Sequence, residues 1–194
     1  EKILMHISNF RPVKRVGDVL EVFLRVNEVI PSRLVMIGEG PELGAMVRRV
    51  RALGLEKKVL FLGKREEVAE LLSVADVMLL PSEKESFGLV ALEAMACGVP
   101  TVGSRAGGIP EVVAHGETGF LSDIGDTDSM ARDTIRLLSD PALYARFSAA
   151  CLERARSRFG SEASVRQYEN IYYRVLGRPC EEEPPLREQV CAAE

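Results

Sequence analysis

No two cysteines in this 194-residue sequence stand at C-x-x-C spacing. The four, Cys97, Cys151, Cys180 and Cys191, therefore offer neither a zinc knuckle nor a redox pair. Cys97 and Cys151 fall in apolar helical patterns and read as small buried hydrophobes, and the overall usage fits a reducing cytoplasm. No apolar run reaches the ~18–20 residues of a membrane span, because Asp76 and Glu93 interrupt the two best candidates. There is no excess of positive charge. The formal net charge of −4 argues against a broad nucleic-acid or anionic-membrane surface, though not against a local basic pocket. Histidine occurs only twice, and neither His6 (in a strand pattern) nor His115 (in a turn) has an acid or nucleophile nearby in the sequence. The opening Glu1-Lys2-Ile3-Leu4-Met5-His6-Ile7 is expected to be a strand and not a signal peptide, and its first residue is not Met. A piece of a longer protein, cut just before a domain begins, is the expectation.

What is present suffices for one domain of ordinary size. Apolar residues make up 46% and charged residues 28%. Apolar runs at 3–7, 33–38, 58–63, 77–80, 101–103 and 120–121 read as strands. Between them, helical spacing appears at 16–30, from Pro41 to about Leu53, at 66–73 and from about Gly88 to Gly98. A glycine turn leads into one helical turn at 106–113. Three helices close the pattern, at about 127–138, 141–158 and 161–176. Strands alternating with helices imply an α/β, Rossmann-like parallel sheet sandwiched by helices. Ligands of such sheets bind beyond the carboxyl ends of the strands. The loops there are 8–15, 38–40, 63–65, 81–88 and 104–108. Residues 178–194 combine acidic charge with proline and read as a disordered tail, leaving 1–177 as the domain.

The most informative stretch is Glu85-Ser86-Phe87-Gly88-Leu89-Val90-Ala91-Leu92-Glu93. Its first glutamate lies in a loop at a helix mouth, and its second lies within an otherwise apolar helix. An ionised carboxylate in such a place needs a partner, either Arg105 or a ligand, and the surrounding loop chemistry favours the ligand. The N–H groups of Phe87, Gly88 and Leu89 at the helix start form an anion site. A ligand carrying both phosphate and hydroxyls would satisfy the whole, which points to a nucleotide-sugar. Asp126-Thr127-Asp128 imitates a metal-binding D-x-D but stands at a helix start, where Asp is the expected cap. Val165, Tyr168, Ile171, Tyr172 and Val175 fall on one helical stripe, which either packs on its own domain or is exposed and drives dimerisation.

Taken together, Pro81-Ser82, Glu85-Ser86-Phe87-Gly88, Leu92-Glu93-Ala94-Met95-Ala96-Cys97-Gly98-Val99-Pro100 and Gly107-Gly108-Ile109-Pro110-Glu111 resemble the donor-binding, C-terminal half of retaining GT-B glycosyltransferases of family 4. The likeness covers about residues 1–177. The opening Ile7-Ser8-Asn9-Phe10-Arg11-Pro12-Val13-Lys14-Arg15-Val16 narrows it to the bacillithiol-pathway branch, which joins N-acetylglucosamine to L-malate.

The resemblance implies a UDP-sugar donor, with UDP-N-acetylglucosamine favoured, and a small acceptor held mainly by an N-terminal domain not in this chain. It implies no cofactor and no metal. A lipid or polysaccharide acceptor, or a non-catalytic nucleotide-sugar module, is the alternative. Glu85 would contact sugar hydroxyls and Glu93 the ribose diol. Arg11 and Lys14 would face the diphosphate, with Asn9 standing where the family usually has Arg. Gly38, Lys64, Arg65, Ser86, Phe87, Gly88 and Leu89 complete the expected donor set, and Arg11, Lys14 and Glu85 are the expected catalytic residues. The fragment alone is expected to bind UDP weakly and to transfer nothing.

Overall fold

The computed structural model describes residues 1–178. The chain falls into two compact units, Glu1–Arg156 and Ser157–Glu194. In the first, six parallel strands form one sheet: β1 (Lys2–Ile7), β2 (Ser32–Ile37), β3 (Val59–Phe61), β4 (Val77–Leu80), β5 (Thr101–Ser104) and β6 (Gly119–Ser122). Their spatial order is β3-β2-β1-β4-β5-β6. The chain builds outward from β1 to one edge, then returns to lay β4 on β1's free side. That reversal leaves a crevice between the loops that follow β1 and β4, the place where open parallel sheets bind ligands.

The helices follow from the sequence pattern. Helix α1 (Val16–Val29) buries Val16, Val19, Leu20, Val22, Phe23 and Val26 on one face. Helices α2 (Leu43–Ala52), α3 (Ala69–Ser73), α4 (Leu89–Ala96) and α5 (Ile109–Val112) fill the crossovers. After β6 come α6 (Thr127–Ser139) and α7 (Pro141–Phe159). Side chains alternate across the sheet, as a two-residue period requires. Leu4, Val77 and Leu79 enter the core shared with α1 and α6, while Met5 and Met78 enter the opposite core with Leu72, Ala94 and Val99. At the amino edge, the Asp76 carboxylate accepts from Ile3 N–H and Lys2 Nζ, each at 2.8 Å. This staples β4 to β1 and fixes their register.

Two expected boundaries shift. The third strand is shorter than 58–63, and the helix expected over 66–73 begins at Ala69. Residues 64–67, Lys64-Arg65-Glu66-Glu67, are all exposed, so nothing apolar anchors either element across them. In the second unit, α8 (Ser161–Val175) carries Val165, Tyr168, Ile171, Tyr172 and Val175, all exposed. From residue 179 onward the expected tail lies outside the described residues. Among the described residues, no helix is long and apolar enough to cross a membrane.

Candidate functional site

The loop after β1 owes its shape to close backbone approaches. Phe10 is fully buried at φ 33°, a left-handed conformation that is costly for a bulky side chain. Its ring stacks on buried His6 with centroids 5.9 Å apart. His6 in turn engages the Leu79 carbonyl at 2.9 Å and Ser8 Oγ at 2.8 Å. Burial, reinforced by the nearby Lys14 charge, lowers the His6 pKa to about 4. Gly38 and Gly40 close the loop from the side: a Cβ on Gly38 would sit 1.8 Å from the Ser8 carbonyl oxygen, and one on Gly40 2.2 Å from that of Asn9. Only glycine admits this approach. A 3-10 turn at Pro12–Lys14 then aims Lys14 back across the sheet edge.

The loop after β4 is pinned in the same manner. Glu83 N–H donates to the Val13 carbonyl at 2.8 Å, tying the two loops together. A Cβ on Gly107 would fall 1.9 Å from the Glu85 carbonyl oxygen, and one on Gly108 2.5 Å from that of Ser86. Gly108 N–H donates to the Glu85 carbonyl at 3.0 Å. The glycine pair, a weak signal in the sequence, is thus the mould in which residues 85–87 are set.

Between the loops lies a cleft of about 440 Å³ lined by Asn9, Arg11, Val13, Lys14, Glu83, Lys84, Glu85, Ser86 and Gly107. Lys14 Nζ is 2.5 Å from Glu85 Oε2, with side chains only 17% and 15% exposed. The sequence suggests separate duties for these two residues, whereas the structure joins them in one ion pair across 71 residues of chain. Arg11 is exposed in the cleft and pairs with no acidic group among the described residues. Gly88, at φ 93°, precedes α4. Neither its N–H nor that of Leu89 donates to an acceptor among the described residues, as expected of a helix start. Phe87 and Leu89 are themselves exposed.

Glu93 is not among the residues that line the β1/β4 cleft. It is half-buried in α4 and opens on a second cleft, of about 520 Å³, with Glu66, Glu67, Val68, Ala69, Glu70, Leu72, Ala96 and Cys97. The possible pairing with Arg105 does not occur: that guanidinium donates to the Leu121 carbonyl at 3.2 Å. With no hydrogen bond or ion pair to its carboxylate among the described residues, burial raises the Glu93 pKa. Burial and the Glu93 charge also push the Cys97 thiol up.

Gly38 serves the architecture, shaping the first loop. Lys64 and Arg65 are exposed and line neither cleft. Sequence reasoning missed Lys84 and Gly107, both in the lining. Lys84 carries no spacing signal beyond its place beside Glu85, and the role of Gly107 depends on a loop 22 residues upstream. Asp126 is the cap of α6, its Oδ1 accepting from Ser129 N–H at 2.9 Å.

The family model for glycosyl transferases group 1 matches residues 1–154. The chain is 53% identical over 176 residues to the N-acetyl-alpha-D-glucosaminyl L-malate synthase of Bacillus anthracis, covering 91% of this chain and 46% of that protein. It is 39% identical over 180 residues to the D-inositol 3-phosphate glycosyltransferase of Corynebacterium glutamicum (strain R), covering 88% and 43%. The chain thus spans about half the length of the curated relatives it matches. Among solved structures, Anabaena Alr3699/HepE in complex with UDP superposes with a TM-score of 0.82 at 27% identity, covering 89% of this chain and 48% of that one. The C-terminal domain of a group 1 family protein (LpcC) from Francisella tularensis gives 0.73 at 25% identity, covering 82% and 87%. By sequence and by fold, the chain belongs to the glycosyl transferases group 1 family.

Proposed function

We propose that this chain is the donor-binding half of a retaining glycosyltransferase that uses a UDP-sugar. The observation that carries the reading is the cleft at the β1/β4 reversal, where Arg11, Lys14 and Glu85 converge from loops far apart in the chain. In this reading the diphosphate lies against the N–H groups of Gly88 and Leu89, with Arg11 and Lys14 beside it. Negative charge grows on the departing diphosphate as the sugar–phosphate bond breaks, and fixed cations aimed at it lower the barrier. Glu85 then accepts hydroxyls of the sugar. The half-buried, unpartnered carboxylate of Glu93 takes the ribose diol, an acceptor-only group meeting two donors. Neither glutamate is a nucleophile.

UDP-N-acetylglucosamine as donor and L-malate as acceptor are supported by the 53% identity to the Bacillus anthracis synthase. A uridine nucleotide is also supported by the Anabaena relative, solved with UDP and with UDP-glucose. The acceptor would be held mainly by residues outside this chain, so transfer needs a second domain.

Titration calorimetry of the chain with UDP, UDP-N-acetylglucosamine, UDP-glucose and GDP-mannose tests the reading. The uridine nucleotides should bind and GDP-mannose should bind less tightly. Glu93→Ala should weaken UDP by roughly 10- to 100-fold, the range for losing hydrogen bonds to a charged group. An unchanged UDP affinity in that variant would remove the ribose assignment.

A further inference from the structure

The cations of the β1/β4 cleft are unequally employed. Lys14 is held by Glu85 at 2.5 Å. The other acid of the lining, Glu83, has Arg15 at 3.9 Å, and Arg15 also pairs with Asp18 at 2.7 Å. Two cations remain, Arg11 from the first loop and Lys84 from the second, both exposed and neither paired with an acidic group among the described residues. The backbone beneath Lys84 is fixed on both sides, by Glu83 N–H on the Val13 carbonyl and by Gly108 N–H on the Glu85 carbonyl. A cation on a fixed stem facing a concave site is suited to an oxyanion with more than one charge.

We infer that Lys84 is a further substrate-recognition residue, which together with Arg11 clamps a dianionic oxyanion in the cleft. Resting on the donor-site reading above, the inference extends it to a residue outside the expected donor set. Two substrates could supply such an anion: the diphosphate of the donor, or a dicarboxylate acceptor entering the same cleft. Arginine and lysine share the load differently, Arg11 offering a planar fork and Lys84 a compact point charge.

The test is calorimetry of the 194-residue chain and its Lys84→Ala, Lys84→Gln and Lys84→Arg variants with UDP, inorganic pyrophosphate, uridine and L-malate. Thermal melting confirms that these exposed-site variants remain folded. If the diphosphate is the target, Lys84→Ala and Lys84→Gln weaken UDP and pyrophosphate by roughly two- to fivefold, the upper part of the range for an exposed ion pair. Uridine is then unaffected, and Lys84→Arg restores most of the loss. If the dicarboxylate is the target, the same pattern appears with L-malate while UDP is unchanged. Equal affinities across all four proteins and all four ligands overturn the inference, as does an equal loss for uridine. Pyrophosphate binding that depends on Lys84 in a chain that does not bind UDP would retain the inference and discard the nucleotide reading. Failure of the wild-type chain to bind any of the four would end both.

Discussion

Glu93 carries the most diagnostic single-residue chemistry. Its carboxyl is raised by burial while it lacks a partner, and a ribose diol donating two hydrogen bonds would favour the charged form and pull it back down. UDP binding at mildly acidic pH should therefore release a proton. Calorimetry repeated in buffers of different ionisation enthalpy reads this directly, and Glu93→Gln should diminish it, leaving the release that comes from the nucleotide's own phosphate. The Lys14–Glu85 pair makes a separate prediction. Lys14→Ala leaves a mostly buried carboxylate without its cation, at a cost of about 1–3 kcal/mol once partial exposure is allowed for. Lys14→Met with Glu85→Gln should cost less than Lys14→Ala alone, as measured by urea denaturation. His6 is a third case. Its folded pKa of about 4 lies below the ordinary 6.5, so the unfolded chain binds the proton more readily. The stability it contributes is complete above pH 6.5 and is lost as pH falls toward 4, about 3 kcal/mol in all. Melting curves between pH 7 and pH 5 should show that decline, and His6→Gln should flatten it.

Among the elements, the loops depend on glycines placed far away in the chain. Gly107→Ala would drive a methyl into the Glu85 carbonyl at a position that also has φ 51°. The expected loss is more than ~1 kcal/mol in stability, with a larger proportional loss in UDP affinity because residues 85–87 are displaced. Gly116→Ala, with open space around its Cβ, serves as the control: it shares the positive-φ strain but touches no loop. The same loops show what a sequence can and cannot reveal. Strands such as β4 were legible because Val77-Met78-Leu79-Leu80 is short, apolar and bounded by polar punctuation, and α4 because Gly88 and Gly98 bracket it. The stretch from Glu85 to Glu93 marks Glu93 in the sequence as a carboxylate that needs a partner. The Lys14–Glu85 pair and the Gly107 mould were not legible, since each joins loops that only the order of strands brings together. Glu93's separate cleft was hidden for the same reason: the segment 66–72 that faces it is remote along the chain.

For the whole molecule, the decisive fact is length. A chain with about half the span of its curated relatives holds both clefts described here, and in the proposed reading the acceptor docks mainly on residues outside it. The chain by itself should bind UDP yet show no transfer from UDP-N-acetylglucosamine to L-malate in a coupled assay. Turnover by these residues alone would refute the two-domain mechanism.

The strand order has one more consequence, which concerns time. Leu4 pairs with Val77 and Met5 with Met78, so the floor between the two loops exists only after more than seventy residues of chain have been gathered in. Such non-local pairing is slow, because loop closure is unfavourable until the distant contacts form. The binding cleft cannot precede it. During refolding, helix content should therefore recover before the capacity to bind UDP, and nucleotide recognition would mark the last act of folding.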